Sequence, residues 1–157
     1  MKIPGLHISA TGAMADSKFI PEGGHNPAWV LEREKRLLVK HYDFLELKIA
    51  GGTLKCTGWC RPSDLSVKYV YRLSYRPGRP PSVHPIDPVI GYHDDIHMYK
   101  KDNSLCLYYP GDESWTEHSS LFNTIIPWTH EWFLFYELYK MYRKWLHPAV
   151  SHGGKGQ

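Results

Sequence analysis

The stretch "FLELKIAGGTLKCT", Phe44 to Thr57, decides the fold. Leu45, Leu47 and Ile49 alternate with Glu46 and Lys48, and after Gly51-Gly52 the alternation resumes with Leu54 and Cys56 against Lys55 and Thr57. A period of two puts successive side chains on opposite faces of a strand, and two adjacent glycines supply the positive φ angles of a tight hairpin turn. This is an antiparallel hairpin with one buried face.

Working outward, "RPSD" leads into "VKYVYRLSY", where Val67, Tyr69, Tyr71, Leu73 and Tyr75 continue the alternation as a third strand rich in aromatic and β-branched residues. The proline-dense "RPGRPPSVHPIDP" then reads as a turn to a short edge strand near Val83. On the other side of the hairpin, "HNPAWVLEREKRLLVKHYDF" opens with Asn26 as an N-cap and Pro27 at the first helical position. Val30 and Leu31 recur as Leu37 and Leu38, so this helix has one apolar face and one charged face.

Residues 86–118 show neither period and hold most of the unusual polar residues, as functional loops inside a compact domain do. Trp128, Trp132, Phe135, Tyr136, Tyr139, Tyr142 and Leu146 then fall at helical spacing, which predicts a helix from about Thr129 to Trp145. The order helix, meander of about four antiparallel strands, irregular segment, helix gives an α+β fold with helices against one face of a sheet. One domain is expected over residues 26–147, with an irregular arm over 1–25 and a fraying tail over 148–157.

The composition narrows the function classes. With 157 residues, 42% hydrophobic and 22% charged, the chain has the material for one globular core. The net charge is only +3, and the basic runs "EREKR" and "MYRKW" are broken by acids or apolar residues, unlike a nucleic-acid footprint. No apolar run approaches the roughly 20 residues that span a bilayer, and "MKIPGLHISATGAMADSK" lacks the apolar core of a secretory signal. A cytosolic protein without nucleic-acid or membrane partners is expected.

Three cysteines, Cys56, Cys60 and Cys106, are too few and too odd for a disulfide framework, so reduced thiols are expected. Cys56 faces inward on a strand, and the Cys56–Cys60 pair lacks the second ligand pair of a structural zinc site. The spacing of His93, Asp94, Asp95 and His97 matches no metal signature. No cofactor and no metal are expected. Cys106, between Leu105 and Leu107, reads by local pattern as a small buried hydrophobe. Its surroundings point the other way: His97 offers a donor to an oxyanion or a means of pinning the loop, Asn103 and the loop amides further donors, and Trp115 a cover, as a thiol that exchanges acyl groups requires. Asp112, Glu113 and Glu117 are candidates for an acidic rim that orients an incoming amine, or else a solvated loop. Trp128 and Trp132 add more large rings than one helix face needs for its core, which raises a protein-binding or homodimer face.

The succession "YRPGRPPSV" (75–83), "IHMYKKDNSLCL" (96–107), "ESW" (113–115) and a final helix resembles the core of the ubiquitin-conjugating enzymes over about residues 27–146. The resemblance implies that Cys106 is the thioester cysteine, Asn103-Ser104-Leu105 the segment before it, Trp115 the downstream tryptophan and His97 the histidine of that family's H-P-N tripeptide. His97 is followed here by Met98-Tyr99, so the tripeptide's asparagine, the family's oxyanion donor, has no match. His97 or a loop amide would then serve instead. The longer run "LCLYYPGDESWTEHSSLFNTIIPWTHEWFLFYE" (105–137), with "HPAVSHGG" (147–154), is similar to the stand-alone ubiquitin-conjugating-like proteins of bacterial anti-phage operons of the CBASS type. That resemblance implies a cysteine transferase whose thioester donor is the C-terminus of a cGAS-like cyclic nucleotide synthase and whose acceptor is a protein or small amine. A non-catalytic binding module of the same fold is the alternative. Gly153-Gly154, followed by Lys-Gly-Gln, reads as flexible tail.

Overall fold

The computed structural model describes residues 26–108 and 115–147. The N-terminal arm, the acidic pair Asp112 and Glu113, the Gly153-Gly154 step and the tail lie outside the described residues.

Helix α1 spans Pro27–His41, with the Asn26 side chain accepting from the Ala28 amide at 2.9 Å. That carboxamide satisfies one of the amides a helix start leaves without an intrahelical partner. Its buried residues are Val30, Leu31, Glu34 and Leu38, a stripe at helical spacing that includes one carboxylate. The sheet follows as β1 (Glu46–Ala50), β2 (Thr53–Cys60), β3 (Tyr69–Tyr75) and β4 (Ser82–Asp87), antiparallel and in sequence order. Gly51 and Gly52 both have positive φ, +58° and +70°, so the β1–β2 turn is closed in the conformation glycine allows and other residues resist.

Leu54, Cys56, Cys60, Tyr69, Tyr71, Leu73, Tyr75 and Val83 form the buried face of the sheet, while Lys48, Lys55 and Arg72 stand exposed on the other. The alternation predicted for β2 and β3 holds from Tyr69 onward. Val67 is 56% exposed and precedes the strand, because the turn through Arg61–Ser66 delays pairing until Tyr69 meets Cys60. Pro85 is tolerated in β4 because that strand lies at the sheet edge.

Helix α2 spans Ile125–Tyr142, starting four residues earlier and ending three residues earlier than the spacing predicts. Pro127 sits in its first turn, where a missing amide proton costs no intrahelical bond. Arg143, with φ +57°, turns the chain out of the helix. Its fully buried residues are Ile125, Ile126, Thr129, Trp132 and Phe133, so the core stripe lies to one side of the predicted one, and Tyr142 and Leu146 are exposed. Phe133 stacks on Tyr69 at 4.7 Å and lies 6.1 Å from Tyr71, which lays α2 across the aromatic face of β3. A short 3-10 turn, Leu121–Asn123, joins the helices: the buried Glu34 carboxylate accepts from the Leu121 amide at 2.8 Å, and the Tyr42 hydroxyl donates to the Phe122 carbonyl.

Gly58 lies opposite Tyr71 on the buried face, and a Cβ there would stand 2.6 Å from Tyr71 Cζ and 2.7 Å from Leu45 Cδ2. Tyr71 cannot swing aside freely, since its hydroxyl is held 2.9 Å from His130 Nε2. Gly58→Ala is therefore expected to destabilise the protein by about 1–3 kcal/mol, read as a lower urea midpoint with an unchanged slope.

Candidate active site

The segment without periodicity holds one more piece of regular structure, a ribbon of β5 (Met98–Tyr99) paired antiparallel with β6 (Ser104–Leu105). Met98 faces Leu105 and Tyr99 faces Ser104. The connection closes through the Asn103 amide, which donates to the Tyr99 carbonyl at 2.9 Å, with Asn103 in the left-handed conformation at φ +58°. Asparagine is one of the few side chains that adopt this region readily. Asp102 accepts from both the amide and the hydroxyl of Ser104, at 3.1 and 2.6 Å. Burial acts to raise the Asp102 pKa, but those two bonds, with His84 and Lys101 beside them, outweigh it and hold the carboxyl below its ordinary range. The ribbon rests against β4, and so against the edge of the main sheet.

Cys106 follows directly after β6. Its amide donates to the His97 carbonyl at 3.0 Å, and the indole Nε1–H of Trp132 donates to the same carbonyl at 2.7 Å. One carbonyl thus ties the cysteine backbone to the middle of α2. The His97 ring stacks on Trp145, with centroids 5.1 Å apart and planes 12° from parallel. His97 meets the cysteine segment through its backbone, the pinning alternative of the two expected for it. Asn103 pins too: its side-chain oxygen accepts from the Tyr92 amide at 3.0 Å.

The three thiols differ in kind. Cys56 and Cys60 are buried in the sheet face, and burial pushes each up to about 12, so neither forms a thiolate at ordinary pH. Cys106 is half-buried, and its Sγ donates to the Tyr108 carbonyl at 3.6 Å. The Tyr99 phenol, on the facing strand opposite Ser104, is a near neighbour of Cys106, close enough for the two to interact electrostatically. Burial first, and then Cys106, Tyr108 and Asp102, raise the pKa of that phenol well above its ordinary value, so it stays protonated. Burial and Cys106 also raise Tyr108.

A groove of about 570 Å³ runs between the proline-rich turn and the ribbon. Its walls include Pro81, Tyr99, Leu105, Leu107, Tyr108 and Trp115, the sequence neighbours of Cys106 but not Cys106 itself. Trp115 meets Tyr75 edge to face at 5.6 Å and stands at the groove, as a cover would. Glu117 is exposed on the groove wall, the one member of the acidic trio among the described residues. Asp94 accepts from the Tyr92 hydroxyl, and Asp95 lies 3.5 Å from His93, so this acidic pair is engaged locally. Among the described residues no group of three or more His, Cys, Asp or Glu converges as metal ligands. Trp132 is buried, and Trp128 is half-buried with its ring tilted against Tyr108 at 5.9 Å.

Sequence reasoning did not single out Tyr99, Tyr108 or the Trp132 indole. The Asp-Asn step before Ser104 was a signal for the ribbon's turn, and a turn there brings Tyr99 back toward Cys106. No helix among the described residues is long and apolar enough to cross a membrane. The family model of the type II CBASS E2 protein matches residues 34–153. No curated protein matches the chain.

Proposed function

The chain belongs to the type II CBASS E2 protein family, with an E2-like role in CBASS antiviral defence, and from that premise we propose that Cys106 is its acyl carrier. The observation that carries this reading is the contrast among the thiols: two are locked in the core as protonated padding, while Cys106 sits half-buried next to a groove with its amide held by the His97 carbonyl. The Cys106 thiolate accepts the C-terminal acyl group of a cGAS-like cyclic nucleotide synthase as a thioester, and an amine of a protein or small molecule then attacks the carbonyl. A thioester is already activated, so the protein's contribution is chiefly orientation. His97 acts as a positioning residue, through the carbonyl that holds the Cys106 amide. Glu117, exposed on the groove wall, orients the amine. No cofactor enters this scheme, and one copy of the chain suffices for it.

Co-expression with a cognate cGAS-like synthase, read by intact mass, tests the proposal. Wild type is expected to carry a protein-sized adduct that thiols remove. Cys106→Ser should carry a thiol-stable ester in its place, and Cys106→Ala none. The unmodified mass in all three would return Cys106 to a packing role and leave the binding module of the same fold as the better reading.

A further inference from the structure

We propose that the Tyr99 hydroxyl is the oxyanion donor of this site: the phenol on the strand facing the Cys106 segment donates its hydrogen bond to the carbonyl oxygen during acyl transfer. The inference rests on the acyl-carrier reading and adds a catalytic residue to it.

Placement supports the assignment first. Tyr99 ends β5 opposite Ser104, on a ribbon whose other strand runs directly into Cys106. The Asn103 amide closes the turn on the Tyr99 carbonyl, Asp102 braces Ser104, and the Cys106 amide is bonded to His97. Phenol and thiol are therefore held by one short, cross-braced unit. Tyr99 also lines the groove whose wall holds Leu105 and Leu107, the neighbours of Cys106. In a thioester the carbonyl oxygen is two bonds from the sulfur, so a donor on the facing strand one residue pair away from the cysteine is placed to meet that oxygen by side-chain rotation.

Chemistry supports it second. An oxyanion donor must keep its proton while negative charge grows beside it. Burial and the neighbouring Cys106, Tyr108 and Asp102 all oppose ionisation of Tyr99, so it acts as an O–H donor and not as a base. Of the other donors considered for this task, the Cys106 amide is already bonded to the His97 carbonyl, and the His97 ring is stacked on Trp145.

The step balances without a co-reactant. The amine nitrogen attacks the thioester carbon, a C–N bond forms, and the carbonyl π pair moves to oxygen, where Tyr99 O–H donates without giving up its proton. Collapse re-forms the carbonyl and breaks the C–S bond, and sulfur leaves as thiolate. The ammonium product loses its proton to solvent.

The test uses the full chain charged from a synthetic peptide thioester, so that it does not depend on the synthase. Discharge to free lysine is followed by intact mass under single-turnover conditions. Tyr99→Phe keeps the ring and removes only the hydroxyl. It is expected to load, to melt within a few degrees of wild type, and to discharge roughly 100-fold more slowly, the size seen when one oxyanion donor is removed. Iodoacetamide alkylation of Cys106, which forms no oxyanion, should change by far less. A companion Tyr99→His, which restores a ring N–H, should recover part of the lost rate. Discharge of Tyr99→Phe at the wild-type rate, or an equal fall in alkylation and discharge, overturns the assignment of Tyr99 while leaving the acyl carrier intact. A wild-type protein that takes no acyl group from the thioester overturns both.

Discussion

Trp132→Ala is expected to lower the stability of the protein by about 3–5 kcal/mol, the usual cost of deleting a buried indole. Trp132 is 3% exposed, stacks on Tyr136 at 5.4 Å and meets Phe133 edge to face at the same distance. Truncation removes that packing and leaves a void among rings that close poorly around it. It also removes the Nε1–H that reaches the His97 carbonyl at 2.7 Å. Trp132→Phe separates the two effects. It keeps much of the apolar volume, loses the hydrogen bond, and should cost about 1–2 kcal/mol for the bond alone. Urea unfolding of the three proteins measures both losses from the midpoints. With whole domains stable by only about 5–15 kcal/mol, the alanine variant should sit near the edge of folding. A loss below about 1 kcal/mol for alanine would show that the ring is not the wedge between α2 and the cysteine segment that its burial indicates.

Glu34→Ala should also destabilise the protein, by a different mechanism. Glu34 is 1% exposed; one of its oxygens accepts from the Leu121 amide at 2.8 Å and the other from the Arg33 guanidinium at 2.7 Å. Truncation leaves the amide without its acceptor, the guanidinium without its counter-charge, and a hole at the meeting of α1 and the 3-10 turn. Arg33 is partly exposed and water can take the place of its partner, so the loss is chiefly that of the buried amide's acceptor, about 1–3 kcal/mol. Glu34→Gln keeps the shape and one acceptor, losing only the charge-assisted part of the bonding, so a loss of about 1–2 kcal/mol is expected. The order wild type, glutamine, alanine in the urea midpoint checks the argument. Equal loss in the two variants would mean that charge, and not the acceptor on Leu121, is what the site requires.

What the sequence disclosed and what it withheld divide by range. The Asn26 cap, the Gly51-Gly52 turn and the alternation through Tyr69–Tyr75 are local chemistry, legible because each residue needs only its near neighbours. The proline-rich turn to an edge strand is legible for the same reason. Glu34 reads as one more charge on a solvated helix face, because its partner Leu121 lies 87 residues away. The α2 stripe was displaced because nearly every position of that helix is apolar or aromatic, so periodicity cannot choose the face; packing against Tyr69 and Tyr71 does. Arg143 gives no stop signal, since it adopts the left-handed conformation without being glycine. At the site, Cys106 and His97 were legible through resemblance. The His97 carbonyl, which receives both the cysteine amide and the indole, is a backbone group, and no side-chain pattern announces it.

The β5–β6 ribbon has a further consequence. Two residues per strand are too few to stay paired in water unaided, so the thiol segment has almost no cohesion of its own and keeps its shape only while α2 and the β4 edge clamp it. Openings of this ribbon therefore need not wait for global unfolding, and they lie at the low-energy end of the protein's local fluctuations. On warming, the amide protons of Asn103 and Cys106 should exchange with solvent well before those of β2 and β3. The geometry of the proposed site then has a ceiling temperature of its own, below the melting point of the domain that carries it.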